Sequence, residues 1–254
     1  MWVDSHCHLQ DLQDWESKLN LGIQAGVEKV ICIGTDLESS IQAIEIAETV
    51  PERIWASIGL HPHHASSGTD NIRSLVAQES TKQNSQVVAI GECGLDYFYN
   101  YSSVEDQKSS FSSQINLANE YDLTLVIHTR DAWEDTFDIL QKEGIPKRTV
   151  FHCFTGGIQE AKVCLELGAY LSFSGIVTFS NTQLLRQAVE ICPLDKFIVE
   201  TDSPFLTPVP FRGRPNDSSN IPIIGAKIAE IKNISIDIIE QNSWKNTHIV
   251  FEIE

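Results

Sequence analysis

Two histidines one residue apart, His6 and His8 in the segment DSHCHL, are the first residues of the chain whose types suit metal chemistry. Side chains on a β-strand alternate between its two faces, so both imidazoles are expected to point one way and Cys7 the other. Neutral imidazoles bind Zn²⁺, Mn²⁺ and other divalent ions. Because His-x-His also arises by chance in solvated strands, a metal site requires partners elsewhere in the chain.

Four more residues of metal-ligating type follow apolar segments further along the chain. One of them, Glu92, has two carboxylate oxygens and can bridge two ions about 3.5–4 Å apart, as in many two-metal hydrolases. Asp202 is expected to ligate one ion and to act as the catalytic base that accepts a proton from the attacking water, with Glu92 as the bridging catalytic group. The sequence therefore predicts a metal centre with six ligands: His6, His8, Glu92, His128, His152 and Asp202.

Other polar residues are candidates for contacts with a substrate. Arg130 follows His128 by two positions, so its guanidinium should lie on the same face, where it suits phosphate or carboxylate binding. A salt bridge to a neighbouring acidic residue is an equally good reading of Arg130. His61 and His63, in GLHPH, are expected to surround the metal ligands or touch substrate. Arg212 either contacts substrate or is solvated.

Eight apolar segments recur along the chain and must position these side chains. Segments with helical spacing, such as Ile41, Ile44 and Ala47, lie between them. Strands that alternate with helices predict βαβ units and a parallel sheet. The eight segments are MWVDSHCHL, VEKVICIGT, IWASIGLHPH, VVAIGECGLDY, LTLVIHTRDA, TVFHCFTGG, AYLSFSGIVTF and KFIVETDSPFL.

Eight such units in 254 residues predict the α/β fold of a (β/α)8 TIM barrel. The rival is a doubly wound open sheet, but its usual Gly-x-Gly-x-x-Gly turn after the first strand is absent. In a barrel the carboxyl ends of all strands meet at one mouth, so ligands from distant positions would converge there. Residues 1–254 are expected to form a single domain of the metal-dependent hydrolase type, with a loop at about 211–222 after the eighth strand.

Composition restricts the class of partner and the compartment. The net charge of −17 works against a broad basic surface for duplex nucleic acid. With no signal peptide and no apolar run long enough to span a membrane, we expect a cytoplasmic protein. The six cysteines form no Cys-x-x-Cys pair and are expected to be reduced. Cys7, Cys93 and Cys153 flank the proposed ligands and are interpreted as small core residues.

Six motifs, in this order and spacing, resemble those of the TatD family of metal-dependent deoxyribonucleases: DSHCHL, GLHPH, GECGLDY, HTRDA, HCFTG and ETDSPFL. The resemblance runs from Asp4 to the last helix. It implies a TatD-like barrel of the amidohydrolase superfamily that uses two divalent ions (Mg²⁺, Mn²⁺ or Zn²⁺) to hydrolyse phosphodiester bonds in DNA. It further implies a 3′–5′ exonuclease that prefers single strands, so the expected partner is a short single-stranded DNA end, and the expected oligomeric state is a monomer.

The resemblance also assigns roles to individual residues. It implies that Glu92 binds both ions and that His61 and Arg130 contact the substrate phosphate. The other implied ligands are His6, His8 and Asp202 for one ion, and His128 and His152 for the second. In the segment after the eighth predicted strand, Phe211 departs from the His or Tyr that is frequent in the family, which leaves that loop's role in substrate binding open.

The residues themselves leave two alternatives to a nuclease open. Another amidohydrolase-type enzyme could cleave an ester or amide, for example in the deacylation of aminoacyl-tRNA. Many such enzymes carry a bridging lysine on the fourth strand, whereas VVAIGECGLDY contains none. A non-catalytic metal-binding protein would be expected to have lost a base or bridging group, yet all six candidate ligands are present.

Overall fold

Eight parallel strands form one sheet in the order of the sequence. The computed structural model describes residues 1–99 and 101–254. Beyond β8, Ser203 forms a parallel bridge with Cys7, which brings the first and last strands together and closes the barrel. All eight predicted strands and the TIM-barrel fold are confirmed. The strands are β1 (Trp2–Cys7), β2 (Val27–Ile33), β3 (Ile54–Ile58), β4 (Val87–Asp96), β5 (Thr124–Arg130), β6 (Thr149–Phe151), β7 (Tyr170–Phe173) and β8 (Phe197–Val199).

In the described part of the chain, one α-helix follows each of the first seven strands and two follow β8. The apolar spacing predicted for α2 is confirmed for Ile44 and Ala47, which are buried against the sheet, and is wrong for Ile41, which is 39% exposed. Asp36 begins α2 by accepting a hydrogen bond from the backbone N–H of Ser39. The helices are α1 (Trp15–Gln24), α2 (Leu37–Thr49), α3 (Asp70–Glu79), α4 (Val104–Glu120), α5 (Trp133–Glu143), α6 (Ile158–Glu166), α7 (Gln183–Ile191), α8 (Ile221–Lys232) and α9 (Ile236–Phe251).

The end of α9 closes the amino-terminal end of the barrel. Val250 and Phe251 pack with inward-facing strand residues such as Val126 and Ile198. The Thr124 hydroxyl donates a hydrogen bond to the Val250 carbonyl oxygen at 2.5 Å. Because this end is apolar and filled, the polar interior lies at the opposite end. Among the described residues, no helix is both long and apolar enough to cross a membrane.

A bulge in β1 turns the two histidines toward the barrel axis. Val3 packs inside the barrel, so strict alternation would place Cys7 on the same inner face. Against β2, however, Asp4 pairs with Val30 and Cys7 with Cys32, so β1 has one extra residue in this interval. Cys7 therefore packs outward against the helical layer, and the neighbouring imidazoles face inward.

A second bulge turns Glu92 inward in β4. Ile90 pairs with Leu125 and Cys93 with Ile127, so three steps along β4 match two along β5. Gly91 occupies the bulge with φ +140°, and a Cβ there would lie 2.5 Å from the Val126 carbonyl oxygen. Only glycine fits both the backbone conformation and the space.

We expect Gly91→Ala to lower the free energy of unfolding by about 2–6 kcal/mol, because backbone strain adds to the steric clash. Gly213→Ala is the matched control, since Gly213 also has positive φ (+84°) but nothing within 4 Å of an added Cβ. Strain alone should cost the control about 1–3 kcal/mol. Urea unfolding of both variants measures the difference. Equal losses would show that the close approach to Val126 is unimportant.

Candidate metal centre

The six predicted ligands meet at the carboxyl end of the barrel. His6 lies in β1 and His128 in β5, while His8, His152 and Asp202 follow β1, β6 and β8. The sequence predicted that β4 ends at Glu92. The strand instead continues to Asp96, because β4 goes on pairing with β5 after the bulge at Gly91. The deeper position sets the Glu92 carboxylate at the centre of the cluster.

Glu92 faces imidazoles through both of its oxygens. Its Oε1 lies 2.9 Å from His152 Nε2, 2.9 Å from His128 Nδ1 and 3.4 Å from His61 Nε2. Its Oε2 lies 3.4 Å from His6 Nε2 and 4.0 Å from His8 Nε2. The two oxygens thus point to different sets of nitrogens, which is the geometry that a bridging carboxylate requires.

Asp202 also approaches the His-x-His pair. Its Oδ1 lies 3.4 Å from His8 Nε2 and 3.6 Å from His6 Nε2. The backbone N–H of Asp202 donates to the His6 carbonyl oxygen at 2.9 Å, so the loop after β8 is tied directly to β1. Asp202 and Glu92 therefore both face the Nε2 atoms of the same two imidazoles.

Asp4 holds this loop in place, although the sequence suggested no role for it within DSHCHL. Its carboxylate is buried and accepts hydrogen bonds from the Thr201 N–H (2.9 Å), the Thr201 hydroxyl (2.6 Å) and the Ser218 hydroxyl (2.8 Å). Burial raises the pKa of Asp4 to about 7. The contacts fix the residue that precedes Asp202.

His6 provides the test of whether these residues fit a metal. Its side chain is only 1% exposed, and neither ring nitrogen has a hydrogen-bond partner among the described residues. Its ring stacks on His152 with centroids 3.8 Å apart. A buried nitrogen without a partner costs about 1–3 kcal/mol, and a divalent ion between His6 and the carboxylates would remove that cost.

The whole cluster has the composition of a cation site. Ligand atoms lie within 4.8 Å of one another in three groups of three residues. Neutral imidazoles and carboxylates together suit Zn²⁺ or Mn²⁺. The residues present therefore fit a divalent metal. The three groups are His6, His152 and Asp202; His6, His8 and Glu92; and His61, Glu92 and His128.

Electrostatics keep the central carboxylates ionised. Burial alone would raise the pKa of Glu92, but the neighbouring His152 and His61 hold it well below its ordinary value. The pKa of Asp202 is likewise lowered, because its hydrogen bond with His8 and the nearby imidazoles outweigh the effect of burial. Buried anions need compensating positive charge, which the imidazolium forms or metal ions can supply.

Glu200 is a functional residue that the sequence analysis missed. It is fully buried and its Oε1 lies 3.2 Å from His152 Nδ1, while it also accepts hydrogen bonds from the Cys153 N–H (2.7 Å) and the Ser172 hydroxyl (2.5 Å). It thereby leaves His152 Nε2 directed at Glu92. A carboxylate behind a metal-binding imidazole commonly fixes its orientation. The sequence feature that could have identified Glu200 is its position as the first residue of ETDSPFL, two positions before Asp202.

Asp96, at the end of β4, was also missed. Its Oδ2 lies 3.1 Å from His63 Nε2 and 3.3 Å from His128 Nε2, and its Oδ1 accepts hydrogen bonds from the backbone N–H groups of Phe98 and Tyr99. Burial alone would raise the pKa of Asp96, but these hydrogen bonds hold it well below its ordinary value. Asp96 thus connects the cluster to the loop after β4.

His61 and His63 do not end β3, as the sequence suggested, because that strand stops at Ile58. Both lie at the start of a short 3-10 turn, Pro62–Ser67, where the His63 N–H donates to His61 Nδ1. His61 faces Glu92 and is nearly buried, and burial lowers its pKa to about 4.

Arg130 lies at the mouth as predicted, but its partners are aromatic. Its guanidinium carbon is 3.8 Å from the ring centre of Phe98 and 4.9 Å from that of Tyr99. Among the described residues it forms no salt bridge, so the alternative of an acidic partner is wrong. Arg212 is exposed and stacks on Phe179 at 3.8 Å.

The predicted loop after β8 is confirmed, although it ends in a 3-10 turn at Ser218–Asn220, and α8 then begins at Ile221. Asn216 is buried and its amide donates to the carbonyl oxygens of Thr201 (3.0 Å) and Phe205 (2.7 Å). This part of the loop therefore holds the segment around Asp202.

The interpretation of the cysteines is confirmed for Cys7 and Cys93, which are buried among apolar residues of the outer layer. It is wrong for Cys153, which is only partly buried, with its Sγ 3.3 Å from the Ser174 hydroxyl. Because β6 ends at Phe151, strand alternation no longer applies at Cys153, whose φ is +42°.

A parallel eight-stranded barrel with buried His, Glu and Asp side chains at its carboxyl end defines a TIM-barrel protein of the metal-dependent hydrolase class. The model of a family described as TatD related DNase matches residues 3–252. The chain therefore belongs to the TatD family of metal-dependent hydrolases, as the six motifs indicated.

Relatives and a solved structure agree with this placement. The chain is 37% identical to the uncharacterized metal-dependent hydrolase YabD of Bacillus subtilis, with 100% of both chains covered. It is 33% identical to a protein of Yersinia pseudotuberculosis named 3'-5' ssDNA/RNA exonuclease TatD, with 96% of each covered. The crystal structure of YJJV, a TatD homolog from Escherichia coli, superposes with a TM-score of 0.92 at 29% identity, covering 100% of this chain and 98% of that one.

We expect Mn²⁺ or Zn²⁺ to raise the melting temperature of chelator-treated protein by about 5–10 °C when added at about 100 times its dissociation constant. Glu92→Gln should lose most of this shift, because the central carboxylate would lose its charge. His64→Gln is the matched control, since His64 is exposed on the turn after β3. Thermal unfolding measures the shift. A full shift in Glu92→Gln would contradict a metal centre at this position.

We expect Glu200→Gln to weaken Mn²⁺ binding about 10- to 100-fold, because His152 would lose the carboxylate that orients it. Glu79→Gln is the control, since Glu79 is also buried but lies in α3, outside the centre. Calorimetric titration of both variants measures the affinity. Unchanged binding in Glu200→Gln would show that Glu200 has only a structural role.

Proposed function

We propose that the protein is a divalent-metal-dependent deoxyribonuclease that removes nucleotides from the 3′ end of single-stranded DNA. The observation that carries the proposal is the central position of Glu92, with one oxygen toward His128 and His152 and the other toward His6 and His8. The name of the Yersinia relative supports a single-stranded nucleic acid as substrate and makes RNA a second substrate to be tested.

In this proposal the centre would hold two ions of Mg²⁺, Mn²⁺ or Zn²⁺. Bound ions neutralise the charge of the scissile phosphate and lower the pKa of water. The ligands for one are His6, His8, Glu92 and Asp202. The ligands for the other are Glu92, His128 and His152.

Asp202 acts as the catalytic base in this proposal. Its pKa lies below the ordinary value, so the carboxylate is ionised at neutral pH, which is the form that a base requires. Its Oδ1 already faces the Nε2 atoms of His6 and His8, which Glu92 Oε2 also faces. A water between Asp202 and the phosphate would therefore lose its proton toward the loop after β8.

The substrate phosphate is held by Arg130 and His61, with His63 and Arg212 contributing at the rim. Stacking on Phe98 occupies one face of the Arg130 guanidinium and leaves its in-plane N–H groups free to donate to phosphate oxygens. His61 Nε2 lies 3.4 Å from Glu92, at the edge of the centre.

The charge of the chain favours a short substrate contact. A net charge of −17 repels long stretches of polyanion, so binding should be confined to a strand end at the mouth. All six cysteines are free thiols, which supports a reducing compartment, the cytoplasm. The proposal further holds that residues 1–254 act as one domain and as a monomer.

End-labelled single-stranded DNA, RNA of the same sequence and a panel of ester and amide substrates test the proposal, each with and without EDTA. We expect chelator-sensitive release of mononucleotides from the 3′ end. Asp202→Asn should fold normally but lower kcat about 10²- to 10⁴-fold, because it removes the proton acceptor.

Asp195→Asn is the control for this experiment, since Asp195 is exposed before β8, at the other end of the barrel. It should retain wild-type turnover. Cleavage of an ester or amide without release of nucleotides would replace the nuclease with another hydrolase. Wild-type rates in Asp202→Asn would remove that residue from the mechanism.

A further inference from the structure

We propose that Phe98, Tyr99 and Tyr101, in the loop after β4, form a stacking surface for an unpaired nucleobase of the substrate. We call these three residues the aromatic rim. The inference rests on the proposed function and adds to it a base-binding site that would select single strands, because a paired base has no free face to offer.

The aromatic rim is exposed despite its apolar character. Tyr101 is 69% exposed, Phe98 54% and Tyr99 40%. The Tyr99 and Tyr101 rings are nearly parallel, at 4° with centroids 5.6 Å apart, and the Phe98 ring meets Tyr99 edge-on at 4.7 Å. Exposed aromatic residues grouped in this way indicate a binding surface rather than part of a core.

Side chains at the edge of the metal centre hold the aromatic rim in place. His63 meets Tyr99 and Tyr101 nearly at right angles, with centroid distances of 5.6 Å and 4.8 Å. The same His63 lies 3.1 Å from Asp96, whose other oxygen accepts hydrogen bonds from the Phe98 and Tyr99 N–H groups. Asp96 also contacts His128, so this one carboxylate connects the aromatic rim to the metal centre.

The charge beside the aromatic rim favours a nucleotide over an apolar protein segment. Arg130 stacks over Phe98 and presents a positive charge directly beside the rim. A nucleotide offers both groups that this arrangement suits, a flat base for an aromatic ring and a phosphate for the guanidinium. An apolar peptide would use the rings but leave the charge without a partner.

The test uses the metal-loaded full chain and a single-stranded tetranucleotide with phosphorothioate linkages, which resist cleavage, and 2-aminopurine near its 3′ end. Fluorescence quenching reports stacking and gives the dissociation constant. We expect Tyr101→Leu to weaken binding about 5- to 150-fold, as for loss of one stacked base. Tyr101→Trp should restore both affinity and quenching, because it replaces the aromatic face.

Tyr170→Leu is the matched control, since Tyr170 also lies beside a cation, Lys196, but begins β7 at the opposite end of the barrel. It should bind like the wild type. A tetranucleotide with an abasic residue at the 2-aminopurine position, measured by competition with the fluorescent one, should bind equally to wild type and Tyr101→Leu.

Wild-type affinity and quenching in Tyr101→Leu would overturn the stacking surface, even if the wild type releases nucleotides. Binding that falls in Tyr101→Leu for the abasic and intact tetranucleotides alike would also overturn it, because the effect would not depend on a base. Failure of the wild type to cleave DNA or RNA refutes the proposed function separately, since stacking is measured without cleavage.

Discussion

The buried carboxylate of Glu92 is the constraint on which the rest of the site depends. An anion removed from water requires compensating charge or hydrogen bonds within a few ångströms, and here imidazoles surround it. His6 adds a second constraint, because both of its buried ring nitrogens lack hydrogen-bond partners among the described residues. Glu200 then orients His152, and Asp96 contacts His128 and His63. The surrounding polar network is therefore arranged around one charge.

Two bulges convert an ordinary parallel barrel into this site. Without them, alternation from Val3 and Ala89, which both face the interior, would turn His6 and Glu92 toward the helices. Each bulge adds one residue before the functional side chain and so reverses which side chains of the strand face the barrel interior. Each also leaves a cysteine, Cys7 or Cys93, facing the outer layer. The amino-terminal half of the barrel interior thus stays apolar, while the carboxyl-terminal half holds the charged groups.

The sequence was sufficient for the fold and for the six candidate ligands that meet at one end of the barrel, because residue type and position after an apolar segment can both be seen in it. The sequence does not reveal where a strand bulges. Alternation between neighbours therefore predicted correctly that Cys7 faces away from His6 and His8. It could not predict that Val3, four residues earlier, lies on the opposite face from Cys7. Asp96 and Glu200 were missed because a carboxylate at a strand end usually caps a helix or is solvated. Their role depends on which imidazole nitrogen lies nearby, and that requires the packed barrel. The partners of Arg130 were likewise set by the loop after β4.

The filled amino-terminal end of the barrel limits how a substrate can reach Glu92. Val250 and Phe251 occupy that end, so the route to the centre lies through the mouth between the loops after β4 and β8. Phe98 and Tyr101 project from one of these loops and Phe205 from the other, all more than half exposed. A chain entering there meets aromatic rings before it meets the carboxylates. In a protein with a net charge of −17, stacking of bases on these rings would supply an attraction for nucleic acid that long-range electrostatics would not. Recognition of a flexible single-stranded end is therefore consistent with both the acidic surface and the aromatic mouth.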